Sequence, residues 1–212
     1  MLAPASLAVA AVTALPDLVP ARDRTLPVDD ALADLFPEAG LLRGRLIGCS
    51  GPAAWSLALA LVSTAVQAGS WLAAVGVPTL GLEAAAEFGI PLSRVVMVDT
   101  GAGTPVWAER VAAAADGFEL IVTSPPPGAE RVVRKVRQRV QARGAVLIAV
   151  GYATPGVACD LELSTIEVAW EGIGHGAGLL MCRRATVQLA GRRAPRPVER
   201  QLLLPAPGGR LA

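Results

Sequence analysis

Between residues 46 and 150 the chain repeats one rhythm: a short apolar run, a turn, then a longer stretch with helical spacing. The apolar runs predict strands at 46–49, 72–77, 95–98, 120–122 and 146–150, with helices between them. Strands that are apolar at successive positions are buried on both faces, so this alternation predicts a parallel α/β sheet flanked by helices. Gly69, Gly89 and Gly144 stand where C-terminal helix caps belong, and Thr104-Pro105 has the N-cap and first-position form of a helix start. After Gly151 the rhythm changes. LELSTIEVAW (161–170), LLMCRRATVQLAGRR (179–193) and VERQLLLP (198–205) alternate polar and apolar positions, which predicts antiparallel strands added at the sheet edge.

Three parts follow from this pattern. Residues 1–40 are Pro- and Ala-rich, carry an acidic cluster at Asp29, Asp30 and Asp34, and form a leader segment with its own helix. Residues 41–190 form the α/β core, and 191–212 a last strand followed by a loose tail rich in Pro and Gly. A chain of 212 residues suits one domain, and 53% apolar against 17% charged residues supplies the core for it. No stretch of eighteen apolar residues occurs, and no basic residues precede the apolar segment 7–15, so the expected location is the cytoplasm.

Cys49, Cys159 and Cys182 are far apart and outside metal-ligand spacing, which makes them buried thiols. The nineteen basic residues are eighteen Arg and one Lys, Lys135, which falls inside a helix. No loop of this chain therefore offers a lysine to phosphate. The net charge of +1 hides a split: 6 basic and 13 acidic residues up to position 130, then 13 basic and 5 acidic. The positive second half would suit an acidic or nucleic-acid partner.

GCSGPAAWS, residues 48–56, has the outline of a phosphate loop: a Gly-containing strand exit, a small-residue turn and the start of a long apolar helix. Gly48, Gly51 and Ser56 fit parts of that description. The register G-x-x-x-x-G-K-[ST] is absent, and Trp55 stands where the lysine belongs. An indole turned inward gains about 4–6 kcal/mol at roughly 25 cal/mol per Å², so Ala53, Ala54 and Trp55 are expected to close the loop over the nucleotide position. Nor does an acid end the strands that would need one. FELIVTSPPP ends in Thr123, Ser124 and three prolines, and WLAAVGVPTLG carries no carboxylate.

Other residues invite chemistry less strongly. GIGHGAG (172–178) has dinucleotide-like glycine spacing but is followed by strand-like alternation, so it reads as a hairpin turn, with the only histidine, His175, unoriented within it. Asp99 ends the strand at 95–98 and reads as an Asx-turn cap. In AERVVRKVRQRVQAR, Val132, Val133, Val136 and Val140 share one face, while Arg131, Arg134, Lys135 and Gln138 face away. That stripe would suit DNA phosphates or an acidic protein, though no aromatic residues interleave for single-strand stacking. Arg183, Arg184, Arg192, Arg193, Arg196 and Arg200 form a second basic set, open to a partner that orders it.

The order of elements resembles the RecA-like core, and more closely its actinobacterial offshoot, the ImuA-prime family. The resemblance lies in LPVDDALADLFPEAGLLRGRLIGCSGP, in GSWLAAVGVPTLGLEAAAEFGIPLSRVVMVD with its GIPLSR join, and in the edge hairpin RRATVQLAGRR, and covers about residues 26–204. It implies a RecA-like fold in which Val77 stands at the position of the catalytic acid and Thr123 or Ser124 at that of the metal-binding acid. The DNA-contacting loops look cut short in TSPPPGAERVV and GYATPGVACDLEL, and WEGIGHGAGLL recurs in chains of this kind, with Trp170 as an anchor for a partner. The expected function is that of a non-catalytic accessory protein in damage-induced mutagenesis and translesion synthesis. The departures from the family at the loop and strand ends lead to an expectation of no cofactor and no metal, and the resemblance implies an ImuB-type Y-family-like partner linked to the sliding clamp and an error-prone polymerase. The competing readings are a nucleotide hydrolase with an atypical loop and a SulA-like inhibitor of cell division.

Overall fold

The computed structural model describes residues 24–101, 103–151, 159–173, 178–192, 194–207 and 211. The described chain starts with β1 (Thr25–Leu26), the short helix α1 (Asp30–Ala33) and β2 (Leu41–Leu42), which pairs antiparallel with β1. Asp29 caps α1 by accepting the Ala31 amide at 3.0 Å. Leu26, Val28, Leu32, Leu35 and Phe36 are buried in the main core, so this segment is packed onto the sheet from Leu26 onward.

The repeating part gives β3 (Leu46–Ser50), α2 (Ala54–Gln67), β4 (Leu72–Val75), α3 (Leu82–Glu87), β5 (Val95–Val98), α4 (Thr104–Gly117), β6 (Leu120–Thr123), α5 (Glu130–Arg143) and β7 (Val146–Val150). Then come three long strands, β8 (Leu161–Ile173), β9 (Gly178–Gly191) and β10 (Ala194–Leu203). All eight from β3 onward form one sheet in the order β10-β9-β8-β3-β7-β6-β4-β5. The strands from β3 to β8 pair in parallel, and the β8-β9-β10 edge is antiparallel. The predicted fold class is thus observed at the level of an α/β protein with a mostly parallel sheet, flanking helices and an antiparallel C-terminal edge.

Side-chain alternation divides the core. Ile47, Cys49, Val122 and Ile148 face α2 and the N-terminal segment, whereas Leu46, Ile121, Leu147 and Ala149 face α4 and α5. α2 is buried almost all round: Leu57, Ala58, Leu61, Val62, Ala65 and Val66 have essentially no exposure, which is why its sequence shows little polar face. On α5 the valines behave as their spacing requires, with Val133, Val136 and Val140 buried and Val132 packed beside them.

Differences from the sequence expectations are local. β4 stops at Val75, because Gly76 turns with φ +67° and gives its amide to Val98 of β5 at 2.9 Å. At the start of α4 the cap is Gly103, with Pro105 in the first turn, while the Thr104 hydroxyl donates to the Pro127 carbonyl at 3.3 Å. Gly144 caps α5 in the left-handed conformation.

Candidate functional site

The turn that leaves β3 lies at the C-terminal end of a central strand, where open α/β sheets bind ligands. Its geometry is set by β8. Gly51 has φ +90°, and a Cβ there would meet the Thr165 carbonyl oxygen at 2.2 Å, so only glycine fits this approach. Two residues on, the Ala53 amide donates to the Thr165 hydroxyl at 3.0 Å. Thr165 thus takes one of the backbone donors that a phosphate would need.

Trp55 does not close the loop, which corrects the expectation of an inward indole. It is 37% exposed, whereas Ala53 and Ala54 are buried. The reason is the helix face: Ala54, Leu57, Ala58 and Leu61 fill the side of α2 against the sheet and leave position 55 pointing away. The next residue is engaged differently. Arg183 of β9 donates to the Ser56 hydroxyl at 2.6 Å and to the Leu204 carbonyl at 2.7 Å, and its guanidinium lies 5.0 Å from the centre of the Trp170 ring. Burial lowers the Arg183 pKa from its usual value, a cost that these contacts offset.

The strand ends carry satisfied or apolar groups. Thr123 is fully buried; its hydroxyl donates to the Val75 carbonyl at 2.8 Å and accepts the Trp107 indole N–H at 2.7 Å. Val77 is buried and Ser124 exposed. Asp99 accepts the Gly101 amide at 2.9 Å, an Asx turn as expected. His175 and most of GYATPGV lie outside the described residues.

The three cysteines are buried. Burial, helped by the neighbouring Cys159, pushes the Cys49 thiol above its ordinary range. Burial followed by the charges of Glu162 and Asp160 raises Cys159 to about 11.

The basic residues do not form one surface. On α5, Arg137 binds the buried carboxylate of Asp160, which also accepts the Leu46 amide at 3.1 Å, and Arg139 and Arg143 both bind Asp116. Arg131, Arg134 and Lys135 remain exposed, and no ion pair is seen at them among the described residues. In the second set Arg183 is engaged as above, Arg184 pairs with Glu171, and Arg200 pairs with Asp34 at 3.0 Å. Arg192 and Arg196 are exposed, and Arg193 lies outside the described residues. Near the end of the β8–β9 hairpin, Trp170, Leu179, Leu180 and Met181 are all exposed.

Thr165 and Asp160 carry no motif signal. Both act across more than a hundred residues of chain, on Ala53 and Leu46, so only the β3–β8 pairing reveals them.

Among known proteins, the chain is 35% identical over 127 residues to the uncharacterized protein Rv3395c of Mycobacterium tuberculosis, a match covering 60% of this chain and 52% of that one. The chain thus spans about half the length of the curated relative it matches. The family model for the MT3502 N-terminal domain matches residues 34–156, which hold β2 to β7 and therefore the turn after β3. With more than half of its length matched, this chain belongs to the MT3502 N-terminal domain family.

Proposed function

We propose that this chain is a non-catalytic adaptor built on a RecA-like core, acting in damage-induced mutagenesis and translesion synthesis through an ImuB-type partner. The observation that carries the reading is the occupied turn after β3: Thr165 takes the Ala53 amide and Arg183 takes the Ser56 hydroxyl. In a working phosphate loop those groups serve the phosphates and magnesium. A parallel core with this turn at its central strand, joined to an antiparallel edge, is what the RecA-like resemblance leads one to expect. Thr123 and Val77, which stand at the metal-binding and catalytic acid positions of that resemblance, offer neither a carboxylate nor an unused polar atom toward a nucleotide.

Two surfaces suit a partner in this picture. The exposed Arg131, Arg134 and Lys135 would meet an acidic protein or DNA phosphates. Trp170, braced by Arg183, and the apolar end of the β8–β9 hairpin would supply desolvated contact area of the kind found at interface hot spots. The direct test is affinity purification of the tagged chain from cells after DNA damage. Recovery of an ImuB-type protein, independent of added ATP, is the expected result. Recovery of a tubulin-like division protein in its place would overturn the reading in favour of a division inhibitor.

A further inference from the structure

We propose that the chain pairs with a second copy of itself, the basic outer face of α5 in each copy lying on the bare, acidic face of β8–β10 in the other. The bare face is what the division of the core leaves over. Leu163, Ala185, Val187, Leu189 and Leu202 turn to the side of α2. The alternate residues of the same strands therefore turn to the side of α4 and α5, where no residue of β8, β9 or β10 enters the core among the described residues. Their rows register Ser164 beside Gln188 and Glu199, and Glu167 beside Thr186 and Gln201. Glu162, Glu167, Glu199 and Gln201 are exposed, and a hollow of about 410 Å³ opens between Glu167, Arg184, Thr186 and Gln201.

The charge of this face is opposite to that of its neighbour. Its rows carry the carboxylates of Glu162, Glu167, Glu171 and Glu199 against the guanidinium of Arg184, which is already paired with Glu171. α5 stands at the border of the face, because its Arg137 binds Asp160 immediately ahead of β8. Arg131, Arg134 and Lys135 are exposed on the side of α5 away from its buried valines, and no ion pair is seen at them among the described residues.

Shape and charge together identify the occupant. α5 rises one helix thickness above the sheet, and the bare face beside it is a recess of the same depth. Three strands about 4.8 Å apart give a floor roughly 14 Å wide, and a helix with its side chains is about 10–12 Å across. A two-fold rotation about an axis between α5 and the recess, parallel to the strands, sets the α5 of each copy into the recess of the other, with its basic side on the acidic rows. One helix layer is then shared by two sheets. A nucleic acid laid on α5 would pass within about a Debye length, roughly 10 Å, of the acidic rows and be repelled by them. An unrelated acidic protein would meet the same repulsion, whereas a second copy carries base beside acid at the required offset. The inference leaves Trp170 to an ImuB-type partner and stands or falls independently of that reading.

The test is the mass of the full chain in solution, by light scattering at about 0.05 M and about 0.5 M salt, for the wild type, R134E/K135E and E167K/E199K. The wild type is expected to be a dimer at low salt and a monomer at high salt. Each reversal, made at exposed positions, weakens the dimer at least tenfold without changing the melting temperature. Mixing the two variants restores a heterodimer, because every helix then faces a sheet of opposite sign. Should one variant lose its fold, the effect of the other reversal on the dimer decides. A wild type that is monomeric at low salt, a dimer indifferent to the reversals, or folded variants that fail to combine would overturn the proposal. So would duplex DNA held by the wild type at physiological salt and released by R134E/K135E, because the stripe would then serve phosphate.

Discussion

The parallel half of the sheet, β3 to β7, and the antiparallel edge, β8 to β10, are made of the same backbone pairing but solve different problems. The first is closed on both faces except at its edge strand β5, where Val95, Val96 and Val98 are half-buried and Met97 is exposed: β6 and β7 are buried at every position, and helices lie on either side. The second is covered on one face only. Ala185, Val187 and Leu189 of β9 point to the core while Arg184, Thr186 and Gln188 line the opposite face. The edge nevertheless reaches back, since Thr165 and Arg183 determine what the turn after β3 has left to offer. On the proposed reading, a central strand keeps the shape of a ligand site while its neighbours take up the groups that would have bound.

The contrast is sharpest in stability. Ile148→Ala removes a fully buried side chain at the centre of the sheet and is expected to cost about 4 kcal/mol in chemical denaturation. Gln201→Ala, on the exposed side of β10, is expected to stay within about 0.5 kcal/mol. Equal losses would mean that the edge is as closed as the centre.

Asp160→Ala comes next, because Arg137 would be left beside a vacated buried acceptor and the Leu46 amide unpaired; about 3 kcal/mol is expected. Thr165→Val keeps the shape but strips the acceptor from Ala53, for about 1–2 kcal/mol by the same assay. That loss would arise in the edge strand and be felt in the first turn of α2.

The smallest effect is one of pH. Hydrogen bonds from Arg139, then the charges of Arg139 and Arg143, hold the Asp116 carboxyl below its ordinary value. At Glu119 burial pushes upward, but hydrogen bonds from Arg43 and Ser70 prevail and lower it. Both folded values are depressed, so their contribution is fully present above the unfolded pKa values of 3.8 and 4.5 and is lost as the pH falls below them. Melting curves from pH 6 to pH 3 should drop less steeply for Glu119→Gln than for the wild type. Parallel curves would remove the pair from the account.

Much of the parallel half was legible in the chain because its signals are local. An apolar run such as Val146–Val150 has one fate in a chain of this length, and the valines of α5 repeat at helical spacing. The edge was legible as alternation. What was not legible depends on contacts across distance: whether Trp55 turns inward is decided by which face of α2 the sheet fills, and the closure of the loop by a threonine more than a hundred residues away. The separate engagements of the C-terminal arginines were hidden for the same reason. Arg183 is drawn into the fold by Ser56 and Leu204, and Arg200 by Asp34, while Arg196 stays exposed.

The claim that joins the two halves is that the edge strands have taken the phosphate position after β3. Isothermal titration of the chain with ATP and magnesium tests it most directly. The account predicts no saturable heat at nucleotide concentrations up to about a millimolar, a level corresponding to roughly 4 kcal/mol of binding energy. Micromolar binding that disappears in Ser56→Ala would contradict it, because that hydroxyl would then be serving a nucleotide instead of Arg183.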